Sequence, residues 1–199
     1  MNQGKEPYRR LARHYDITGQ AHYLTFSCWR RRPFLSRDRS RVWFLDNLQT
    51  ARRHFDLWAF VIMPEHVHLL ILPHEDATMR QILLALKQPV AQRASWWVRR
   101  HAPEFLSSME DRQPSGRVSH RFWQPGPGYD RNTWSPGELR EKVKYIHANP
   151  IRRGLVDRPE DWPWSSVRDY TGSLHDAPMT PRGLAVDRVL LPADPRTRI

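Results

Sequence analysis

One cysteine, Cys28, stands in a chain of 199 residues. That excludes any intrachain disulfide and any zinc site built on paired cysteines, and it suits a reducing compartment. Its setting, HYLTFSCW, reads as strand, so Cys28 is expected to be a small buried side chain rather than a nucleophile. No apolar run is long enough to span a bilayer, and no signal-peptide or lipidation motif is read. The expected place is the cytoplasm, with no membrane partner. No phosphate-cradling P-loop pattern is present, so a nucleotide cofactor is not expected. Acidic residues are in deficit: 21 Asp+Glu face 32 Lys+Arg, a formal net charge of +11. That balance suits a polyanionic partner, nucleic acid being the commonest, although a basic surface can also serve solubility alone.

What is present sharpens this. At 39% hydrophobic the chain can bury one good core. Nine Trp beside many Arg give stacking and cation–π capacity of the kind single-stranded nucleic acid exploits. Residues 1–20 read as a basic N-terminal arm, 21–170 as one domain, and 171–199 as a loose Pro-rich C-terminal extension.

Within 21–170, residues 21–28 alternate and are β-rich, a first strand, followed by Arg30, Arg31 and Arg32. Residues 40–54 carry helical spacing through Val42, Leu45 and Leu48. Residues 57–63 and 66–72 read as a hairpin closed by Pro64 and Glu65. The second of these strands is apolar on both faces, with Val67, Leu69 and Ile71 on one and Leu70 and Leu72 beside two histidines on the other. It is therefore expected to be central in its sheet. Residues 78–100 form a second helix with Met79, Ile82, Leu83 and Leu86 as its stripe and a kink or break at Pro89. Residues 121–131 hold a short aromatic strand and then a Gly/Pro turn. Ser135 is placed to cap a third helix, with Pro136 at its first position and Glu138 completing a capping box, and Pro150 stops it after Asn149. The order strand, helix, strand, strand, helix, strand, helix predicts an α+β fold: a ferredoxin-like split βαββαβ antiparallel sheet with a further helix.

His66 and His68 alternate onto one face of their strand, and two imidazoles on one face can hold a divalent metal. A bare His-x-His pair is weak: with ten His in 199 residues, chance gives about 0.5 such pairs. Few other strong ligands would leave coordination positions open to a phosphate oxygen, which favours Mg²⁺ or Mn²⁺ over a closed structural zinc. By alternation Glu65 is expected to point away from the histidines and act as a turn residue. On the third helix, Leu139, Val143 and Ile146 form the apolar stripe. Tyr145 and Asn149 lie four apart beside it, with Lys142 on the same side. That face can offer a phenol nucleophile, an amide oxygen as a third metal ligand and a cation for phosphate; an ordinary aromatic at a helix edge is the plain alternative. His147 projects elsewhere and reads as structural.

Taken together, YLTFSCWRRRPFL, FVIMPEHVHLLILP, RFWQPGPGYDRN, KVKYIHANPIRRGLV and DWPWSSVRDY, in order across about residues 20–170, resemble the single-tyrosine HUH (His–hydrophobic–His) transposases. Within these they resemble the REP-associated tyrosine transposase branch. The resemblance implies a ferredoxin-like nuclease domain acting on single-stranded DNA, often at hairpins of repeated palindromes. It implies His66, His68 and Asn149 as ligands of Mg²⁺ or Mn²⁺, and Tyr145 as the nucleophile that forms a 5′-phosphotyrosine link. Glu65 departs from the Asn or Asp frequent before the motif, and Asp130 of the GPGYDR turn receives no role. Arg30, Arg31, Arg32, Lys142, Arg152 and Arg153 are candidate phosphate contacts. The partner is then single-stranded or hairpin DNA, the protein a monomer or homodimer, and the location the nucleoid. Two rivals stay open: a catalytically weak binder of hairpin DNA, and an unrelated metal-dependent phosphoesterase for small substrates.

Overall fold

The computed structural model describes residues 17–133, 135–171 and 180–187. Most of the expected basic arm and much of the expected extension lie outside the described residues. The chain begins with β1 (Ala21–Ser27), a single turn of 3-10 helix at Trp29–Arg31, α1 (Asp38–Ala51) and β2 (Phe55–Ile62). It continues with β3 (His66–Pro73), α2 (Met79–His101) and α3 (Leu106–Met109). A small hairpin, β4 (Glu110–Arg112) and β5 (Val118–His120), precedes β6 (Tyr129–Thr133). The main helix α4 (Pro136–Arg152) and the short α5 (Val167–Thr171) follow.

Four strands form one antiparallel sheet in the order β2-β3-β1-β6. β3 lies between β1 and β2, and β1 lies between β3 and β6, the interleaving of a split βαββαβ core. As expected, the histidine strand is central. One face carries α1 and α2 over the larger core, where Leu24 and Phe26 of β1 meet Val67, Leu69 and Ile71 of β3 and the fully buried Phe44, Leu48, Ile82 and Leu86. The other face carries α4 on a smaller cluster of Ala21, Tyr23, Val61, Leu70, Val143 and Ile146. β2 serves both faces through a register shift between Leu57 and Ala59. The extra residue changes the parity of the strand, so Leu57 and Phe60 both reach the larger core.

Several expectations need correction. First, α2 runs unbroken through Pro89. Proline removes the N–H that would bond the carbonyl four residues back, that of Ala85. Asn47 of α1 supplies the donor instead, its Nδ2 lying 2.8 Å from the Ala85 oxygen and 2.9 Å from that of Leu86. Second, α4 continues through Pro150 to Arg152 and gives way at Gly154, which has φ +64°. A proline so near the end removes one bond of the last turns, and the Arg153 N–H still reaches the Asn149 carbonyl at 3.1 Å. Ser135 caps α4 by accepting from the Glu138 N–H at 3.2 Å, whereas the Glu138 carboxylate turns to Arg131.

Third, the aromatic segment before the Gly/Pro turn is not a strand of the sheet. Phe122 and Trp123 are buried core residues, Trp123 making an isolated bridge to Cys28, and the fourth strand lies beyond the turn. Gly128 makes that possible. Its φ is +89°, and a Cβ there would lie 2.2 Å from the Thr25 carbonyl oxygen, so only glycine lets the turn lie against β1. Fourth, the described part of the tail, 180–187, is packed rather than loose. Leu184 and Val186 are buried, and the Asp187 carboxylate accepts from the Leu57 N–H at 2.8 Å and pairs with Arg52. Cys28 is buried and free, as expected.

Candidate active site

The site lies on the α4 face, near the end of β3 that follows the Pro64–Glu65 turn. Alternation aims His66 and His68 to the same side, and their Nε2 atoms are 3.0 Å apart. α4 lays its apolar stripe against the sheet: Val143 and Ile146 are buried and Leu139 packs beside them. That seating brings Tyr145 and Asn149, one turn apart, over the histidines. The Tyr145 ring stands edge-on to His68 with centroids 5.6 Å apart, and the Asn149 amide lies 3.1 Å from His68 Nε2. Tyr145 keeps 37% of its surface exposed, while Asn149 and both histidines are buried. The phenol is thus open to a large substrate, while the two imidazoles and the amide are covered by the protein. All four residues come from one chain.

β1 contributes two residues that sequence reasoning did not single out. Its register pairs Thr25 with His68, and Tyr23 lies two positions along on the same face. Tyr23 Oη and Thr25 Oγ1 lie 2.8 and 2.7 Å from His68 Nδ1. A proton on Nδ1 held by these oxygens leaves the Nε2 lone pair directed at the shared point, the role an outer partner plays for a ligating histidine. Burial, then the charges of His66, Arg31 and Lys142, pull His68 down to about 3, and burial also lowers His66, so both rings are neutral near pH 7. Burial also pushes the Tyr23 phenol up, keeping it a neutral hydrogen-bonding group. The alternation of β1 marks Tyr23 and Thr25 as one face. Only the pairing register shows that this face is the histidine face.

Glu65 is a correction. It is buried rather than turned outward, with Oε1 3.2 Å from His66 Nδ1 and 2.8 Å from an Arg153 nitrogen. The Glu65 carboxylate and the Arg153 guanidinium pair as charges, and His66 Nδ1 lies beside them without the alignment of a hydrogen bond. Residue alternation fails here because Glu65 precedes β3 and is free of its pleat. His68 therefore carries hydroxyls behind it, and His66 a carboxylate.

The other basic candidates divide. Lys142 Nζ sits 4.7 Å from the Tyr23 ring centre and the Arg152 guanidinium 5.0 Å from that of Tyr145, both flanking the site. Arg31 acts electrostatically on both histidines. Arg153 is engaged by Glu65. Arg30 lies over the Trp29 ring at 5.2 Å, and Arg32 lines a separate groove beside α1. Asp130 is paired with His22 at 2.8 Å, both buried, joining β6 to β1. His147 is structural, as expected, 2.9 Å from Ser166 Oγ.

Among the described residues no three His, Cys, Asp or Glu side chains converge on one point. A third ligand at this site would therefore be the Asn149 amide, whose oxygen and nitrogen exchange places on a half-turn. The fit to a small divalent ion is good on one measure. Neighbouring ligands of an octahedral ion at about 2.1 Å lie about 3.0 Å apart, and the two Nε2 atoms are separated by 3.0 Å.

No protein-family model matches the chain. It is 27% identical over 170 residues, 82% of its length and 86% of the relative's, to a REP-associated tyrosine transposase of Escherichia coli. It is 28% identical over 130 residues, 64% of its length and 68% of the relative's, to a Haemophilus influenzae protein that carries the same name provisionally. In fold it is similar to a REP-associated tyrosine transposase solved bound to a REP hairpin, with a TM-score of 0.61 at 23% identity over 89% of this chain and 92% of that one. Among the described residues no helix is long and apolar enough to cross a membrane. The chain is homologous to the REP-associated tyrosine transposases, and the enzyme class its motifs lead one to expect is the class those relatives are named for.

Proposed function

We propose that this protein is a metal-dependent single-stranded DNA endonuclease and strand transferase, acting on palindromic or hairpin DNA through Tyr145. The observation that carries the reading is the approach of the Tyr145 ring to within 5.6 Å of His68, on a face where two imidazoles and an amide meet. His66, His68 and Asn149 would hold Mg²⁺ or Mn²⁺, which when bound supplies Lewis-acid polarisation of a phosphodiester. In cleavage a bond forms between Tyr145 Oη and phosphorus and the bond from phosphorus to the 3′-oxygen breaks. The phenol's proton is balanced by the one gained at the departing 3′-hydroxyl, and the product is a 5′-phosphotyrosine. Attack by another 3′-hydroxyl reverses the step and joins strands, so the phosphoester energy is retained and no nucleotide is consumed.

Arg152 beside the phenol ring and Lys142 beside that of Tyr23 favour a phosphate there, with Arg30, Arg31 and Arg32 along the turn after β1. Because the four central residues come from one chain, a monomer or each half of a homodimer carries a whole site. The relative solved with a REP hairpin makes hairpin DNA the first substrate to test. Such a substrate would place the protein on the nucleoid.

The test incubates labelled hairpin and linear single-stranded oligonucleotides with Mn²⁺ or Mg²⁺ and resolves them on denaturing gels. A retarded protein–DNA adduct is expected, lost by on the order of 10³-fold or more in Tyr145→Phe. Tight hairpin binding with no adduct in either metal, across a broad oligonucleotide panel, would reduce the protein to a binder.

A further inference from the structure

We infer that the protein has a second nucleic-acid site, a groove beside α1 and the end of α2 that takes unpaired nucleobases of a strand running on from the tyrosine site. The inference rests on the DNA-acting reading above. The groove is about 980 Å³, at the upper end of the roughly 300–1,000 Å³ typical of ligand pockets. It lies on the opposite face of the sheet from Tyr145 and takes no part in the chemistry described.

Its walls are aromatic. Phe34 and Phe105 meet edge-on at 5.5 Å, and Trp43 and Trp97 meet at a tilt of 55° with centroids 6.2 Å apart. Phe105 is 41% exposed, an unusual amount of open ring for a folded surface. The mouth is basic: Arg37 and Arg39 are exposed, and Arg39 lies over the Trp97 ring at 4.0 Å. Among the described residues the one acid in the lining, Asp38, is paired with Arg41 at 3.2 Å.

Flat rings walled in behind arginines match a base with its phosphate. An acidic peptide would use the arginines and leave the rings idle. A duplex keeps the faces of its bases stacked away, so only an unpaired strand can present them. The chain also links the two places. Ser27 at the end of β1 pairs with His66, and Arg32, five residues on, lines the groove. Arg30 and Arg31 both have φ +53°, a left-handed backbone rare for arginine and held at the junction of site and groove.

The test uses the full chain and a hairpin oligonucleotide carrying an oligothymidylate tail with one 5-iodouracil. Irradiation should crosslink the tail to a peptide containing Trp97 or Phe105. Arg37→Ala with Arg39→Ala should weaken tailed-hairpin binding at least tenfold and flatten its salt dependence by about 1.4 in log–log slope, at about 0.7 per lost phosphate contact. The same variant should bind a tail-less hairpin as the unmodified protein does. Phe105→Ala, at an exposed position, serves as the second probe. Crosslinks mapping elsewhere, unchanged tail affinity in both variants, or displacement of the tail by polyglutamate as readily as by free oligothymidylate would each overturn the inference. Adduct at Tyr145 without groove crosslinks removes the groove and leaves the cleavage reading standing. Groove crosslinks without adduct do the reverse.

Discussion

The two faces of the four-stranded sheet share strands but differ in what they bury. Along β3, Val67, Leu69 and Ile71 enter the α1/α2 face, while His66, His68 and Leu70 turn to α4. Along β1, Leu24 and Phe26 go one way and Tyr23 and Thr25 the other. The first face buries large aliphatic and aromatic groups, each worth about 1.5–3 kcal/mol when removed from water. The second buries imidazoles, hydroxyls and an amide, whose burial is tolerable only because they partner one another. One strand thus supplies cohesion on one side and chemistry on the other, and damage to the two sides should have separable effects.

The largest effect is expected on the cohesive side. Leu69→Ala should lower stability by about 2–5 kcal/mol in urea titrations. The fraction that remains folded should still form adduct; loss of adduct from fully folded Leu69→Ala protein would break the separation. Gly128→Ala attacks the seam where β6 meets β1 and should cost about 2–4 kcal/mol through left-handed strain and collision with the Thr25 carbonyl. Thermal unfolding would read it, and a cost below about 0.5 kcal/mol would mean the turn moves freely.

The polar side should be the more acid-sensitive. Burial pulls His147 down to about 4, against about 6.5 for a free imidazole. Between those values the unfolded chain binds more protons, so its contribution is intact above pH 6.5 and is lost as pH falls toward 4. The loss reaches at most about 3 kcal/mol, and His147→Gln should flatten that part of the stability profile. Glu65→Gln is expected to be smallest in stability, under about 1 kcal/mol, yet to weaken Mn²⁺ binding about 10–100-fold by calorimetry, the usual cost of an outer carboxylate behind a ligating histidine. Unchanged Mn²⁺ affinity would leave Glu65 with a packing role alone.

Much of this division was legible beforehand. The double-sided hydrophobicity of residues 66–72 predicted a central strand, and its alternation placed both histidines on one side. Helical spacing put Tyr145 and Asn149 together, and Ser135 marked the start of their helix. The misses share a cause. Glu65 sits outside the pleat, so alternation had no hold on it. Pro89 signalled a kink or break, and the break is averted by Asn47, 38 positions from Ala85. The aromatic segment around Trp123 looked like strand because core residues in irregular backbone have the same composition as strand.

Local periodicity and capping chemistry belong to the chain itself, because each is decided by neighbours within a few residues. They determined which side chains share a face, where α4 begins, and that one strand carries both core and imidazoles. The register of β1 on β3 decided that Tyr23 and Thr25 stand behind His68, with Thr25 and His68 43 positions apart. The seating of α4 decided that Asn149 meets His68 across 81 positions. Contacts at such separations exist only once loops have closed and both faces of the sheet are covered, and no local pattern encodes them.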